Sequence, residues 1–76
     1  MEIRAKPPAS ASEEVIAARV ASMQLMLSGH SFASSVRREN GHVLIQNSIE
    51  EGTQQESRGI QFIISVVKGV GFIPIN

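Results

Sequence analysis

The segment from Gly59 to Asn76, GIQFIISVVKGVGFIPIN, decides which fold this chain can adopt. It is rich in isoleucine and valine, which favours strands, and with a turn at Lys68-Gly69 it would form a hairpin. Its apolar residues also recur every three or four positions from Ile60 to Val67, which is the spacing of one helix face. The first interpretation gives one helix packed on a β-meander, whereas the second gives a fold with two helices.

The residues around this segment favour the helix. Thr53 and Glu56 form a capping-box pattern before it, and Gly69 falls where a helix C-cap belongs. Gly59 counts against the helix, because a glycine costs about 1 kcal/mol in a helix interior. We therefore predict a helix followed by a short final strand from Gly71 to Ile75, whose proline restricts it to a sheet edge or a strand end.

Another helix is predicted earlier in the chain, from about Ala11 to Ser28. Ser10 and Glu13 form a capping-box pattern at its start, and Gly29 suits a C-cap at its end. The core-facing side of this helix is marked by an apolar stripe with the helical period, made of Ile16, Val20, Met23 and Leu27.

The rest of the chain shows the alternation that is typical of strands. Residues 1–6 alternate until Pro7-Pro8 ends the strand. Asn40-Gly41 predicts a hairpin between two further strands, one around Val36 and one around Val43. The order is then βαββαβ, so residues 1–76 are predicted to form a single small α+β domain of the split-βαβ, ferredoxin-like class. Its antiparallel sheet has the first and third strands in the centre and both helices on one face.

Composition excludes several classes of site. The chain has no cysteine, and two histidines without any aspartate make a structural metal site unexpected. Seven lysines and arginines balance seven glutamates, which argues against a protein that binds polyanions mainly through its net charge. No apolar run reaches the roughly 18 residues that span a bilayer, and the first residues lack the apolar core of a signal peptide. The expectation is a soluble cytoplasmic protein without a cofactor.

No motif predicts catalysis. None of the serines lies in a G-x-S-x-G or S-x-x-K pattern. His30 is expected near the C-terminal end of the first helix, where the helix dipole favours it, and His42 is expected beside the hairpin turn. We therefore expect no enzyme activity.

The favoured function follows from a surplus of apolar residues. Phe32, Phe62, Phe72, Ile73 and Ile75 cannot all be central in so small a core, and an uncovered apolar patch marks an interface. An exposed edge strand such as residues 71–75 could pair with a second copy or with a partner. We expect a small non-enzymatic protein-protein interaction module that forms a homodimer. It would act as an adaptor or as a stoichiometric inhibitor or regulator, including one encoded by a phage or mobile element. The predicted partner-binding residues are Arg37, Arg38, Phe72, Ile73 and Ile75.

The alternative function is nucleic-acid binding through a basic patch around Arg37 and Arg38. RNA-recognition domains of this fold carry stacking aromatic residues on their central strands, and the predicted third strand, HVLIQNSI, has none. The nucleic-acid hypothesis therefore depends on five cations lying on one face: Arg4, Lys6, Arg37, Arg38 and Arg58.

Overall fold

The computed structural model of this chain describes residues 1–28, 34–50 and 52–75. Its elements are, in chain order, β1 (Glu2–Lys6), α1 (Glu13–Leu27), β2 (Ser34–Glu39), β3 (His42–Asn47), α2 (Gln54–Gly69) and β4 (Ile73–Ile75). The four strands form one antiparallel sheet in the order β2-β3-β1-β4. This confirms the predicted α+β fold, because the element order and the sheet match a ferredoxin-like βαββαβ arrangement with the first and third strands in the centre.

Two of the questions raised by the sequence are settled by this topology. Residues 60–67 lie within α2, so the helix was the right choice over the hairpin. The Asn40-Gly41 turn joins β2 to β3 across the pair Glu39 and His42, and both turn residues have positive φ, 49° and 78°. These values are typical of a type I′ turn. The predictions for Gly29, His30 and Phe32 lie outside the described residues.

The first helix begins two residues later than its capping pattern predicts. Ser12, not Ser10, is the N-cap, and its hydroxyl oxygen accepts a hydrogen bond of 3.2 Å from the Val15 N–H. The reason is the preceding turn, in which the Ala11 N–H donates to the Pro8 carbonyl at 3.1 Å. The serine closer to the prolines is therefore held in a turn and is not available as a cap.

The glycine that terminates the second helix is Gly71 and not Gly69: the helix runs to Gly69, Val70 is its C-cap, and Gly71 follows. The Phe72 N–H donates to the Val67 carbonyl and the Gly71 N–H donates to the Lys68 carbonyl, both at 3.0 Å, which is the bonding pattern of a Schellman motif. Gly71 takes the left-handed conformation that this motif needs, with φ of 85°. The turn sends Phe72 back toward Val67, and the phenyl ring is buried in the core.

The start of α2 also differs from the predicted capping box. Thr53 is the N-cap, but its hydroxyl donates to the Glu50 carbonyl at 2.9 Å and caps no helical N–H. The Glu56 carboxylate does reach back toward the start of the helix, where it accepts from the Gly52 N–H. Of the two hydrogen bonds of the predicted capping box, only the one accepted by the glutamate is formed. Its donor is the N–H of Gly52 and not that of Thr53.

The core lies between the sheet and both helices. Side chains from one face of β1 and β3 meet residues of α1 and α2 in a single buried cluster, which shows that the two helices cover the same face of the sheet. Arg19 of α1 also links the two helices, because its guanidinium donates a hydrogen bond to the Val70 carbonyl at the C-terminal end of α2. A cation is favoured at that end of a helix. The buried members of the cluster include Ala5, Met23, Leu27, Ile45, Ile63 and Val67.

Candidate protein-interaction surface

The strand register divides the sheet into two faces. In β1 the side chains of Ile3 and Ala5 pack toward the helices, so the alternating residues Glu2, Arg4 and Lys6 point the other way. The helices leave that second face uncovered, and we call it the open sheet face. Its cationic and apolar members are Arg4, Lys6, Arg37, Leu44, Ile73 and Ile75.

One row of four residues crosses the centre of the open sheet face. Arg37 pairs with Leu44, Leu44 pairs with Arg4, and Arg4 pairs with Ile75. Leu44 is only 2 % exposed although it stands outside the core cluster between sheet and helices. Its two cross-strand neighbours are arginines, and the aliphatic stem of an arginine can cover apolar surface while its charged end stays in water. In this row the leucine side chain is buried against the sheet, and the charged ends of the two arginines lie at the protein surface.

The charges of the open sheet face are only partly paired. Arg37 forms a salt bridge of 3.5 Å with Glu39, and the Gln46 side-chain amide donates to the Glu2 carboxylate at 3.2 Å. Glu39 is thus paired with a cation, whereas Glu2 accepts only from an uncharged amide and keeps its charge. Arg4 and Lys6 are exposed and take part in no salt bridge within the described part of the chain. This leaves two cations with exposed, unneutralised charge beside an apolar row.

Three of the five predicted partner-binding residues lie together on this face. Arg37 is exposed, Ile73 is 51 % exposed, and Ile75 is half-buried at the end of the central row. Phe72 was wrongly assigned to the surface: it is 2 % exposed, because the turn at Gly71 directs it into the core.

Arg38, another of the predicted partner-binding residues, lies apart from these three. It follows Arg37 in β2, and alternation along the strand places it on the helix-covered side of the sheet. There its guanidinium donates to the Glu13 carboxylate in the first turn of α1. This hydrogen bond lowers the pKa of Glu13 and raises the pKa of Arg38. Arg38 joins a strand to a helix and is not free for a partner on the open sheet face.

The predicted basic patch of five cations on one face is likewise wrong. Arg4, Lys6 and Arg37 share the open sheet face, whereas Arg38 lies on the opposite side and Arg58 is on α2. The patch was inferred from sequence proximity and charge alone, and neither reveals which side of a strand a residue occupies.

Within residues 73–75, the β4 edge of the sheet offers no backbone donor to an added strand. Met1 and Asn47 exchange both backbone hydrogen bonds, at 3.1 and 3.0 Å. Because backbone hydrogen bonds alternate along an antiparallel strand, the odd-numbered residues of β1 bond to β3 and the even-numbered residues bond to β4. Pro74 pairs with the odd-numbered Ala5, so its backbone faces the free edge, where proline has no N–H. The three-residue strand therefore lacks the donor that edge pairing of residues 71–75 would need.

The β2 edge is covered by a side chain of α1. The Val36 N–H points to the free edge and donates to Gln24 Oε1 at 2.8 Å. Gln24 therefore occupies the place that the carbonyl of an added strand would take. Because Pro74 lacks a donor at one strand edge and Gln24 occupies a donor at the other, a partner has better access to the faces of the molecule than to its strand edges.

A second exposed surface lies on α1, on the side that faces away from the core. Ala18, Ser22 and Leu25 follow the helical period on that side, and Leu25 is 76 % exposed. Met26 beside them is 51 % exposed. Apart from Glu14 at its start, this side of the helix has no charged residue, and we call it the α1 outer face. It was not found from the sequence, because Ala18, Ser22 and Leu25 lie outside the apolar stripe predicted for this helix.

The described residues show no metal site and no membrane-spanning helix. No group of three or more histidine, cysteine, aspartate or glutamate side chains comes together in the part of the chain that the structure describes. Within the same residues, no helix has both the length and the apolar character to cross a bilayer. Comparison with protein-family models, curated proteins and solved structures gives no significant match. Functional inference therefore depends on the surfaces themselves.

Proposed function

We propose that this protein is a small non-enzymatic protein-protein interaction module that binds a partner protein on its open sheet face. The observation that carries the proposal is the β1–β4 side of that face, where the half-buried Ile75 pairs with Arg4 and the exposed Ile73 pairs with Lys6. Arg4 takes part in no described salt bridge. Interfaces combine apolar contacts with arginine in this way, and arginine is enriched among the residues that dominate binding energy.

The blunted strand edges support the same choice of surface. Partners that add a strand need a row of free backbone donors and acceptors. Pro74 at one edge and Gln24 at the other reduce that row. The open sheet face is reached without disturbing either edge, and the module would act by occupying or bridging its partner as an adaptor, inhibitor or regulator.

Protein binding is favoured over nucleic-acid binding by what the open sheet face carries. Single-stranded nucleic acids are held by stacking on aromatic side chains together with a cationic groove. Of the phenylalanines that the structure describes, Phe72 is buried and Phe62 is half-buried on α2. The described part of the open sheet face thus has cations without a stacking platform.

Site-specific photo-crosslinking tests the proposal in the cells that make the protein. A photoreactive amino acid at Ser35, exposed on the open sheet face, is compared with the same residue at Ser57, exposed on α2. We expect one defined protein adduct from position 35 and none from position 57. A protein adduct from position 57 alone would contradict the proposed surface, and a nucleic-acid adduct from position 35 would establish the alternative function.

A further inference from the structure

The open sheet face continues into a depression at one end of the sheet. Beyond the central row lies a second row, in which Lys6 pairs with Ile73 and His42 pairs with Glu39. Next to this row the chain leaves a depression of about 410 Å³, within the roughly 300–1,000 Å³ range of ligand pockets. Its lining is mostly apolar, with Pro7, Pro8, Ile16 and Ile73, and its polar rim includes Lys6 and His42.

The charges around the depression select the kind of partner. Of the two acidic groups of the open sheet face, Glu39 is paired with Arg37, and Glu2 lies at the opposite end of β1 from Lys6, where it accepts from the Gln46 amide. Arg4 and Lys6 have no described acidic partner. An approaching acidic segment would therefore meet two cations whose charge is not neutralised, whereas a basic segment would be repelled.

The spacing of the two cations adds a geometric requirement. Arg4 and Lys6 are alternate residues of one strand and lie on the same face, so they are about 7 Å apart along it. Alternate side chains of an extended peptide have the same spacing. Two acidic residues at positions i and i+2 of such a peptide would face the two cations in register, and a side chain at i+4 would then lie beyond Lys6 at the depression.

We propose that the Lys6 end of the open sheet face binds an extended acidic segment of a partner protein. Two of its alternate carboxylates would pair with Arg4 and Lys6, while a large apolar side chain two residues further on enters the depression beside Ile73. This inference rests on the proposed function and deepens it by naming the chemistry of the partner. It requires the segment to cross the face, because the strand edges at Pro74 and Gln24 are blunted.

The experiment is a titration of ¹⁵N-labelled protein with short synthetic peptides at low salt, followed by amide chemical shifts. The probe peptide contains Glu-Ser-Glu-Ser-Leu between flexible glycine-serine flanks. One control replaces both glutamates by glutamine, and the other replaces the leucine by alanine. We expect the amides of Lys6, His42 and Ile73 to shift with the probe, and to shift much less with either control.

A matched pair of protein variants tests the role of the cation. Exposed ion pairs contribute about 0.2–1 kcal/mol, so Lys6→Gln should weaken binding of the probe by a factor of about 1.4 to 5. Lys68→Gln makes the same change in net charge on α2, away from the depression, and should leave the affinity unchanged. Equal weakening by both variants would show an effect of net charge alone and would overturn the proposed pairing.

The remaining outcomes separate this inference from the proposed function. If the glutamine peptide shifts the same amides as strongly, the acidic chemistry is wrong while the open sheet face remains the binding surface. Shifts confined to α1 or α2 would overturn both. If no peptide shifts any amide, the acidic segment is rejected and the crosslinking result alone decides the function. Tighter binding of a single-stranded oligonucleotide at these residues would replace a protein partner by a nucleic acid.

Discussion

At the scale of single residues, Gly71 combines a positive φ with a close neighbouring side chain. Its φ is 85°, and a Cβ built on it would lie 2.6 Å from Arg19 Nη1. Gly71→Ala would therefore strain the backbone and displace the guanidinium that donates to the Val70 carbonyl. We expect a loss of about 1–2 kcal/mol in the free energy of unfolding, measured by urea denaturation.

Gly69 is the matched control for that substitution. It lies at the end of α2, has no positive φ, and an added Cβ would meet no atom within 4 Å. Gly69→Ala should be neutral or should stabilise the protein by up to about 1 kcal/mol, because alanine is the better helix former. If the alanine substitutions at 69 and 71 had the same effect, α2 would not end in the turn described here.

Glu13 and Arg38 provide a residue-scale prediction for the pH dependence of stability. The hydrogen bond from Arg38 lowers the pKa of Glu13 in the folded protein. A carboxyl whose pKa is lower in the folded state stabilises that state above its unfolded pKa, and the contribution disappears as the pH falls through the lowered value. The difference in unfolding free energy between wild type and Glu13→Gln should thus shrink as the pH drops from about 7 to about 3.

Glu14→Gln is the control for this pH series. Glu14 shares the first turn of α1 and its helix dipole with Glu13, but it makes no salt bridge within the described residues. If both variants gave the same pH profile, the dipole would account for the effect and the contact with Arg38 would contribute nothing measurable. Because both side chains of the pair are exposed, the effect should also weaken as salt is added.

At the scale of the elements, the Gln24 side chain is expected to protect the free edge of β2 from pairing with another strand. Gln24→Ala removes the acceptor at 2.8 Å from the Val36 N–H. We expect this variant to lose about 1 kcal/mol of unfolding free energy and to associate more readily at high concentration, as seen by light scattering. Gln24→Glu keeps an acceptor at the same position and should remain closer to wild type. Equal association of both variants would show that the hydrogen bond does not protect the edge.

The element types could be predicted because their signals are local. The spacing of Ile60, Ile63, Ile64 and Val67 follows a helix face, and α2 covers these positions. Asn40-Gly41 tolerates positive φ at both residues, and the observed turn uses it. In both cases the information is contained within a few neighbouring residues.

The element ends could not be predicted as well, because they depend on contacts made elsewhere. Gly69 and Gly71 both suit a helix end, and only the burial of Phe72 against the core favours the later one. Phe72 was placed among the partner-binding residues because the apolar residues of this chain exceed what so small a core can hold, whereas the turn at Gly71 buries it. In the same way, alternation along β2 sends Arg37 and Arg38 to opposite faces, but only the pairing of β2 with β3 shows which of the two lies on the open sheet face.

At the scale of the whole molecule, the question is whether a second copy covers the α1 outer face. Small and large side chains alternate along it, and a two-fold axis between Ala21 and Ser22 of an antiparallel pair would set Leu25 over Ala18 of the second copy. This arrangement would bury the most exposed large apolar side chain described in the chain. It would also leave the open sheet face free for a partner.

Such a dimer should be weak. A standard interface buries roughly 800 Å² on each partner, which is a large share of the 4884 Å² surface of this chain. One face of a 15-residue helix supplies less than that area. We therefore expect the solution mass to rise from monomer toward dimer over the micromolar range, and to rise no less at high salt because the α1 outer face is apolar.

Leu25→Glu tests the surface that forms this dimer. The substitution places a charge on both sides of the two-fold axis, so we expect a monomer by light scattering at every concentration, with unfolding free energy close to wild type because Leu25 is exposed. Gln61→Glu adds the same charge on the exposed side of α2 and should leave the association intact.

A dimer that survives Leu25→Glu would have to use another surface. If that dimer were lost on substituting Ile73, the open sheet face would be covered by a second copy, and the acidic partner proposed for it would have to compete with self-association.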